Sequence, residues 1–230
     1  MSNDFFVFRK FTVRQNRCAM KVGTDGILLG AWATGGKRIL DIGTGTGLIA
    51  LMMAQRFISA VVTAIDIDGE ACIQAEENVM SSPFANRITV INKALQKFRT
   101  GIYDSIVCNP PYYDTSLTNP DARVTAARHS SALLPAELFA HGGKLLADRG
   151  TFSCIVPFDR RVLFETEAAR AGLYVSRSCT VFTSCRKPPR RCLLSFSKRQ
   201  APNIETSEMT IGSAEHKRLI ADFCIPDFRK

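Results

Sequence analysis

The chain has 230 residues, 46% hydrophobic and 22% charged, with a formal net charge of +9. That is enough for one substantial α/β domain with its own core and too little for two, and the ordinary balance excludes wholesale disorder. The longest apolar stretch, Leu48 to Ala54, is far short of a membrane span, and Phe5 to Phe8, hemmed by Asp4, Arg9 and Lys10, does not read as a signal peptide, so a cytoplasmic protein is predicted.

In chain order, residues 1–36 form a basic leader ending in the apolar run 26–33, predicted as a short helix behind turn signals at Gly23 and Gly26. From Arg38 strand and helix alternate. Strands are predicted at 38–42, 60–65, 87–91, 103–108 and 151–156. Helices are predicted at 48–55, 69–79, 134–146 and 160–171, with Asp68 capping the second. Alternating units of this length imply a mainly parallel sheet with helices on both faces. Strand-like runs at 173–183 and 191–197 are predicted to pair antiparallel at a sheet edge, and residues 201–230 show little periodicity.

Cys18, Cys72, Cys108, Cys154, Cys179, Cys185, Cys192 and Cys224 contain no C-x-x-C pair and no histidine at ligand spacing, so core packing is predicted rather than zinc or disulfides. Residues 151–200 hold ten Lys/Arg against three Asp/Glu, and Arg186-Lys187-Pro188-Pro189-Arg190-Arg191 concentrates four of those cations. A patch of one sign points to a polyanion, nucleic acid first, with a solvated basic face as the plainer alternative.

Asp41-Ile42-Gly43-Thr44-Gly45-Thr46-Gly47 follows the first strand of the alternating series and opens a helix. Glycines there let the backbone turn tightly and approach a ligand. A phosphate-cradling Walker loop needs Lys-Ser/Thr after its last glycine, where this chain has Leu48-Ile49. A dinucleotide fold uses G-x-G-x-x-G, and the third glycine here comes one residue early. The shorter spacing behind Asp41 fits S-adenosylmethionine, which has no pyrophosphate to seat and whose cationic parts an acid attracts. A plain β–α turn is the alternative. Asp66 ends the next strand, nineteen residues after Gly47, where an acid accepts both ribose hydroxyls.

Asn109-Pro110-Pro111-Tyr112 breaks the fourth strand. Each proline lacks an N–H and fixes its own φ, which leaves a stiff turn presenting an amide, carbonyls and an aromatic ring. Such an array suits a planar, NH2-bearing group. Asn109 Oδ1 and the Pro110 carbonyl would each accept one amino hydrogen, freeing the nitrogen lone pair, while Tyr112 would stack on a base turned out of its neighbours. In an open parallel sheet ligands bind beyond the carboxyl ends where strand order reverses, here between the first and fourth strands of the series. Both loops are therefore expected in one crevice. The chemistry indicated is methyl transfer to an amino nitrogen, with no metal required.

Residues 41–47, Asp66 and residues 109–112 together resemble the class I S-adenosylmethionine-dependent methyltransferases that modify exocyclic or amide nitrogen. The leader Phe11-Thr12-Val13-Arg14-Gln15, the run from Met20 to Trp32, Arg128-His129 and the basic Pro-Pro hairpin narrow this. They are similar to the bacterial tRNA(Val) adenine-N6 methyltransferases, which modify the adenine on the 3′ side of the anticodon. The likeness runs over residues 8–196. It implies a Rossmann-like fold with a mostly parallel seven-stranded sheet, an antiparallel C-terminal hairpin and helices on both faces. Residues 1–36 would be an extension packing on the cofactor site, 37–200 the catalytic domain and 201–230 a tail.

The resemblance also implies that S-adenosyl-L-methionine is held by Lys21, Val22, Thr24, Asp41, Gly43, Gly45, Gly47, Asp66, Ile67, Ala94, Leu95 and Asn109. Asn109, Pro110, Pro111 and Tyr112 would form the catalytic motif. Arg123, Arg128, His129, Arg186, Lys187, Arg190 and Arg191 would contact tRNA, with the enzyme a monomer; Arg128 and His129 read equally well as surface loop residues. Many relatives place an acid after the third strand of the series, where Asn92-Lys93-Ala94-Leu95-Gln96 has none. The adenine contact then falls to a backbone amide or Gln96.

Two rival readings remain at this level. Release-factor glutamine methyltransferases use the same motif on a side-chain amide but carry a helical domain ahead of the catalytic one, where this chain has about thirty-six residues. A non-catalytic RNA-binding module is disfavoured by the intact Asp41, Asp66 and Asn109.

Overall fold

Period-two burial in the central strands decides the architecture. In β3 (Arg38–Ile42) Ile39 packs on one side of the sheet, and Leu40 and Ile42 on the other. In β6 (Tyr103–Cys108) Val107 and the pair Ile106 and Cys108 divide in the same way. Strands apolar on both sides must be covered on both, as parallel strands in α/β folds are. The computed structural model describes residues 4–18, 20–111 and 133–225.

A short antiparallel pair, β1 (Phe5–Val7) and β2 (Thr12–Arg14), precedes α1 (Thr24–Trp32). After β3 come α2 (Leu48–Arg56), β4 (Val61–Asp66), α3 (Gly69–Met80) and β5 (Ile88–Asn92), then β6. Beyond it follow α4 (Pro135–Leu145), β7 (Leu146–Pro157), α5 (Arg161–Arg170), β8 (Tyr174–Phe182), β9 (Arg191–Ser197), β10 (Glu205–Thr210) and α6 (Ala214–Ile220). The main sheet runs β10-β8-β9-β7-β6-β3-β4-β5, with β9 antiparallel to both its neighbours and all other pairings parallel. This is the Rossmann-like α/β fold, with its strand order reversing between β3 and β6.

Two expectations are corrected. Among the described residues the sheet has eight strands rather than seven, and the β8–β9 hairpin does not form its edge, because β10 pairs parallel with β8 outside it. The cause is that β10 presents only Met209 to the core while its first four residues are exposed, so no alternation marks it in the sequence. Helix α2 is buried at every position from Leu48 to Ala54, sandwiched between the sheet and α1. Helices α4 and α5 cover the opposite face through Leu138, Phe139, Phe164 and Ala168. All eight cysteines are free thiols, six of them buried. Among the described residues no helix is long and apolar enough to cross a membrane.

Candidate active site

At the carboxyl ends of β3 and β6, which pair in parallel as far as Ile42 and Cys108, the sheet opens into a cavity of about 900 Å³. The loop leaving β3 has three glycines at positive φ: Gly43 at 70°, Gly45 at 54° and Gly47 at 80°. A Cβ on Gly43 or Gly45 would meet nothing within 4 Å, so that backbone borders open space. At Gly47 a Cβ would come to 3.3 Å of Ala75, so this glycine serves the close approach of α3 and does not line the cavity. Gly43 and Thr44 N–H donate to the Ile65 carbonyl at 2.9 and 3.0 Å, and Gly45 N–H donates to Asp66 Oδ2 at 2.8 Å. The acid that ends β4 therefore shapes the loop and also faces the cavity.

Asp41 is placed otherwise than expected. It is fully buried behind the loop, on the same side of β3 as Ile39, where its Oδ2 accepts from Thr44 Oγ1 at 2.7 Å and Ala50 N–H at 3.2 Å. Its Oδ1 is buried without a hydrogen-bond partner. Burial, outweighing the two hydrogen bonds, pushes its pKa up to about 7. It braces the loop rather than lining the cavity.

Lys21, Val22, Thr24, Ile67, Ala94 and Leu95 all line the same cavity. The leader reaches it through polar side chains on α3 that the sequence did not flag. Asn78, 1% exposed, accepts from Arg14 N–H at 2.8 Å and donates to the Arg14 and Thr46 carbonyls at 2.9 Å each. Gln74 accepts from Arg17 N–H at 3.2 Å. One helix face thus ties the leader to the glycine loop. Asp68 caps α3, accepting from Glu70 and Ala71 N–H.

From β6, the strand next to β3, the half-buried Asn109, the buried Pro110 and the exposed Pro111 enter the wall of the cavity that Gly43 and Gly45 also line. Tyr112, Arg123, Arg128 and His129 lie outside the described residues. Arg186, Lys187 and Arg190 are exposed on the connection between β8 and β9, and Arg190 reaches the cavity rim. Arg191 departs from the expected phosphate-contact set: its Nε donates to Asp25 Oδ2 at 2.7 Å, with both side chains 24% exposed. Arg177 lies 3.7 Å over the Trp32 ring and donates to the Trp32 carbonyl at 3.1 Å. These two arginines fasten α1, a wall of the cavity, to the β8–β9 pair. Glu137, on α4, also lines the cavity and was not foreseen, since an acid in a helix's first turn reads as a complement to the helix dipole.

A doubly wound sheet carrying a glycine loop, an acidic strand end and an Asn-Pro-Pro turn around its switch point is that of a class I methyltransferase. The family described as Methyltransferase small domain matches residues 21–156. A tRNA1(Val) (adenine(37)-N6)-methyltransferase from Parabacteroides distasonis is 45% identical over 94% of this chain and 93% of its own length. One from Bacteroides fragilis is 48% identical over 86% and 85%. The solved structure of a predicted O-methyltransferase from Agrobacterium tumefaciens superposes with a TM-score of 0.62 at 17% identity, covering 86% of this chain and 96% of that one, and shows the fold alone. The chain belongs to the methyltransferase small domain family and, within it, to the tRNA1(Val) (adenine(37)-N6)-methyltransferases.

Proposed function

We propose that this protein transfers a methyl group from S-adenosyl-L-methionine to N6 of adenine 37 in a tRNA, tRNA1(Val) being the substrate its relatives are named for. The observation that carries the reading is that Asn109 and the open glycine backbone at Gly43 and Gly45 line one cavity. Its volume is at the upper end for small-molecule sites and accommodates a nucleoside cofactor together with a flipped base.

The residues present fit the cofactor. Space a Cβ would fill lies over Gly43 and Gly45, and Asp66 offers carboxylate acceptors for a ribose diol beside it. Ile67, Ala94 and Leu95 supply apolar contact for the adenine, with Lys21, Val22 and Thr24 closing over the methionine end. When bound, the cofactor supplies an electrophilic sulfonium methyl.

Asn109 Oδ1 and the Pro110 carbonyl accept the two hydrogens of the target amino group. That draws the nitrogen towards tetrahedral geometry and frees a lone pair otherwise delocalised into the ring. Positioning and fixed dipoles carry the step, without a prior general base. Tyr112 stacks on the base. Arg186, Lys187 and Arg190 take phosphates, with Arg123, Arg128 and His129 nearer the anticodon loop, while Arg191 holds the wall through Asp25. Residues 1–36 act as the extension packing on the cofactor site and 37–200 carry the catalytic machinery, on a sheet that β10 extends, in a cytoplasmic monomer.

Methyl-labelled S-adenosylmethionine offered with bulk tRNA, and separately with release factor, tests this. Label recovered as N6-methyladenosine from tRNA is expected. Label on release-factor glutamine, or on neither, would overturn the assignment.

A further inference from the structure

An acid from another element stands beside the segment after β5. Gln96, in the turn Leu95–Lys97, donates through Nε2 to Glu137 Oε2 at 2.9 Å, across forty-one residues of sequence, and both side chains line the cavity. Both are half-buried. Glu137 lies in the first turn of α4, whose N-terminus has no side-chain cap, so its carboxylate is turned to Gln96 rather than used on the helix's own amides.

The order of strand ends gives the direction of a bound nucleoside. Strands β3, β4 and β5 lie side by side in parallel, so their carboxyl ends present the glycine loop, Asp66 and then residues 93–96 in sequence across the cavity. A ribose held by Asp66 extends its base towards Ala94, Leu95 and Gln96. With Nε2 bonded to Glu137, Gln96 retains a second amide hydrogen, and Glu137 retains acceptor lone pairs. An amide donor beside a carboxylate acceptor matches the Watson–Crick edge of adenine, where the 6-amino group donates and N1 accepts. A 6-oxo purine reverses both, setting its O6 against the carboxylate.

We propose that Gln96 and Glu137 form the reader of the cofactor's purine edge and set its preference for a 6-amino base; this rests on the cofactor reading above. Calorimetric binding of S-adenosylhomocysteine and its 6-oxo analogue S-inosylhomocysteine tests it without turnover. The native protein is expected to favour the adenosyl ligand about 10- to 100-fold. In Glu137→Gln, which keeps the shape and can donate to O6, the preference is expected to fall to within about threefold. Glu137→Ala should likewise lose it, mainly by weakening the adenosyl ligand. Unchanged preference in both variants would reduce the pair to a clasp between the Leu95–Lys97 turn and α4, overturning the proposal alone. Failure of the native protein to bind either ligand would overturn the cofactor reading and the proposal together.

Discussion

Asp41 shows how one residue's environment sets its part in the site. Its carboxyl has an ordinary value of 3.8 and, buried behind the glycine loop, titrates at about 7. Between those values the folded protein keeps a proton that the unfolded chain has released. Stability contributed by the protonated form is therefore full below about pH 4, declines as pH rises to 7 and is gone above it. The span corresponds to roughly 4 kcal/mol as an upper bound. Asp41→Asn keeps an acceptor for Thr44 and removes the charge. Its stability is expected to stay level across this window while the native protein's falls, as read by urea unfolding of the ligand-free proteins at several pH values. Parallel profiles would contradict the assigned burial effect. The pattern D-x-G-x-G-x-G drew attention to Asp41, but its part as a brace was not legible, because the pattern does not say which side of β3 carries the carboxylate.

At the scale of elements, the β8–β9 connection separates two kinds of arginine that look alike in the sequence. Arg186, Lys187 and Arg190 are exposed and available to phosphates, whereas Arg191 is paired with Asp25 of α1. Replacing the first three with alanine is expected to weaken tRNA binding and flatten its salt dependence, lowering the slope of log K against log salt by about 0.7 to 0.9 per lost contact. An unchanged slope would remove the hairpin from the RNA surface. Asp25→Ala acts differently, loosening α1 from β9, so it should raise the cofactor dissociation constant without altering that slope; a flattened slope in this variant would contradict the division. The short apolar runs Ile39-Leu40 and Ile106-Val107-Cys108, each bounded by a turn motif, made β3 and β6 readable to the residue, and Asp68 marked the start of α3. The β9 run was equally readable, but not the insertion of β9 between β7 and β8, because pairing order is a long-range property of the sheet.

For the whole molecule, residues 201–225 complete the fold rather than trailing from it. β10 covers the outer edge of β8, and Phe223, 1% exposed, joins the core that contains α1 and α2. Phe223→Ala is expected to cost about 3–5 kcal/mol in denaturant unfolding, and a cost below about 1 kcal/mol would return the segment to the status of a tail. Its weak apolar pattern hid this: Met209 and Phe223 are its buried apolar side chains, while Ile211, Leu219, Ile220 and Cys224 pack only partly buried against the same core. The two main site loops were legible because glycine spacing and paired prolines are local signals that one topological rule brings together. The Gln96–Glu137 pair was not, because it joins two elements that only the folded chain makes neighbours. The central claim is that a single crevice holds methyl donor and amino acceptor, with Asn109 acting on the acceptor. Single-turnover methylation of tRNA by Asn109→Ala, measured beside its calorimetric affinity for S-adenosylhomocysteine, tests this most directly. The account predicts a rate loss of about 10² to 10³ or more with affinity changed by no more than about threefold; methylation at near-native rate would contradict it.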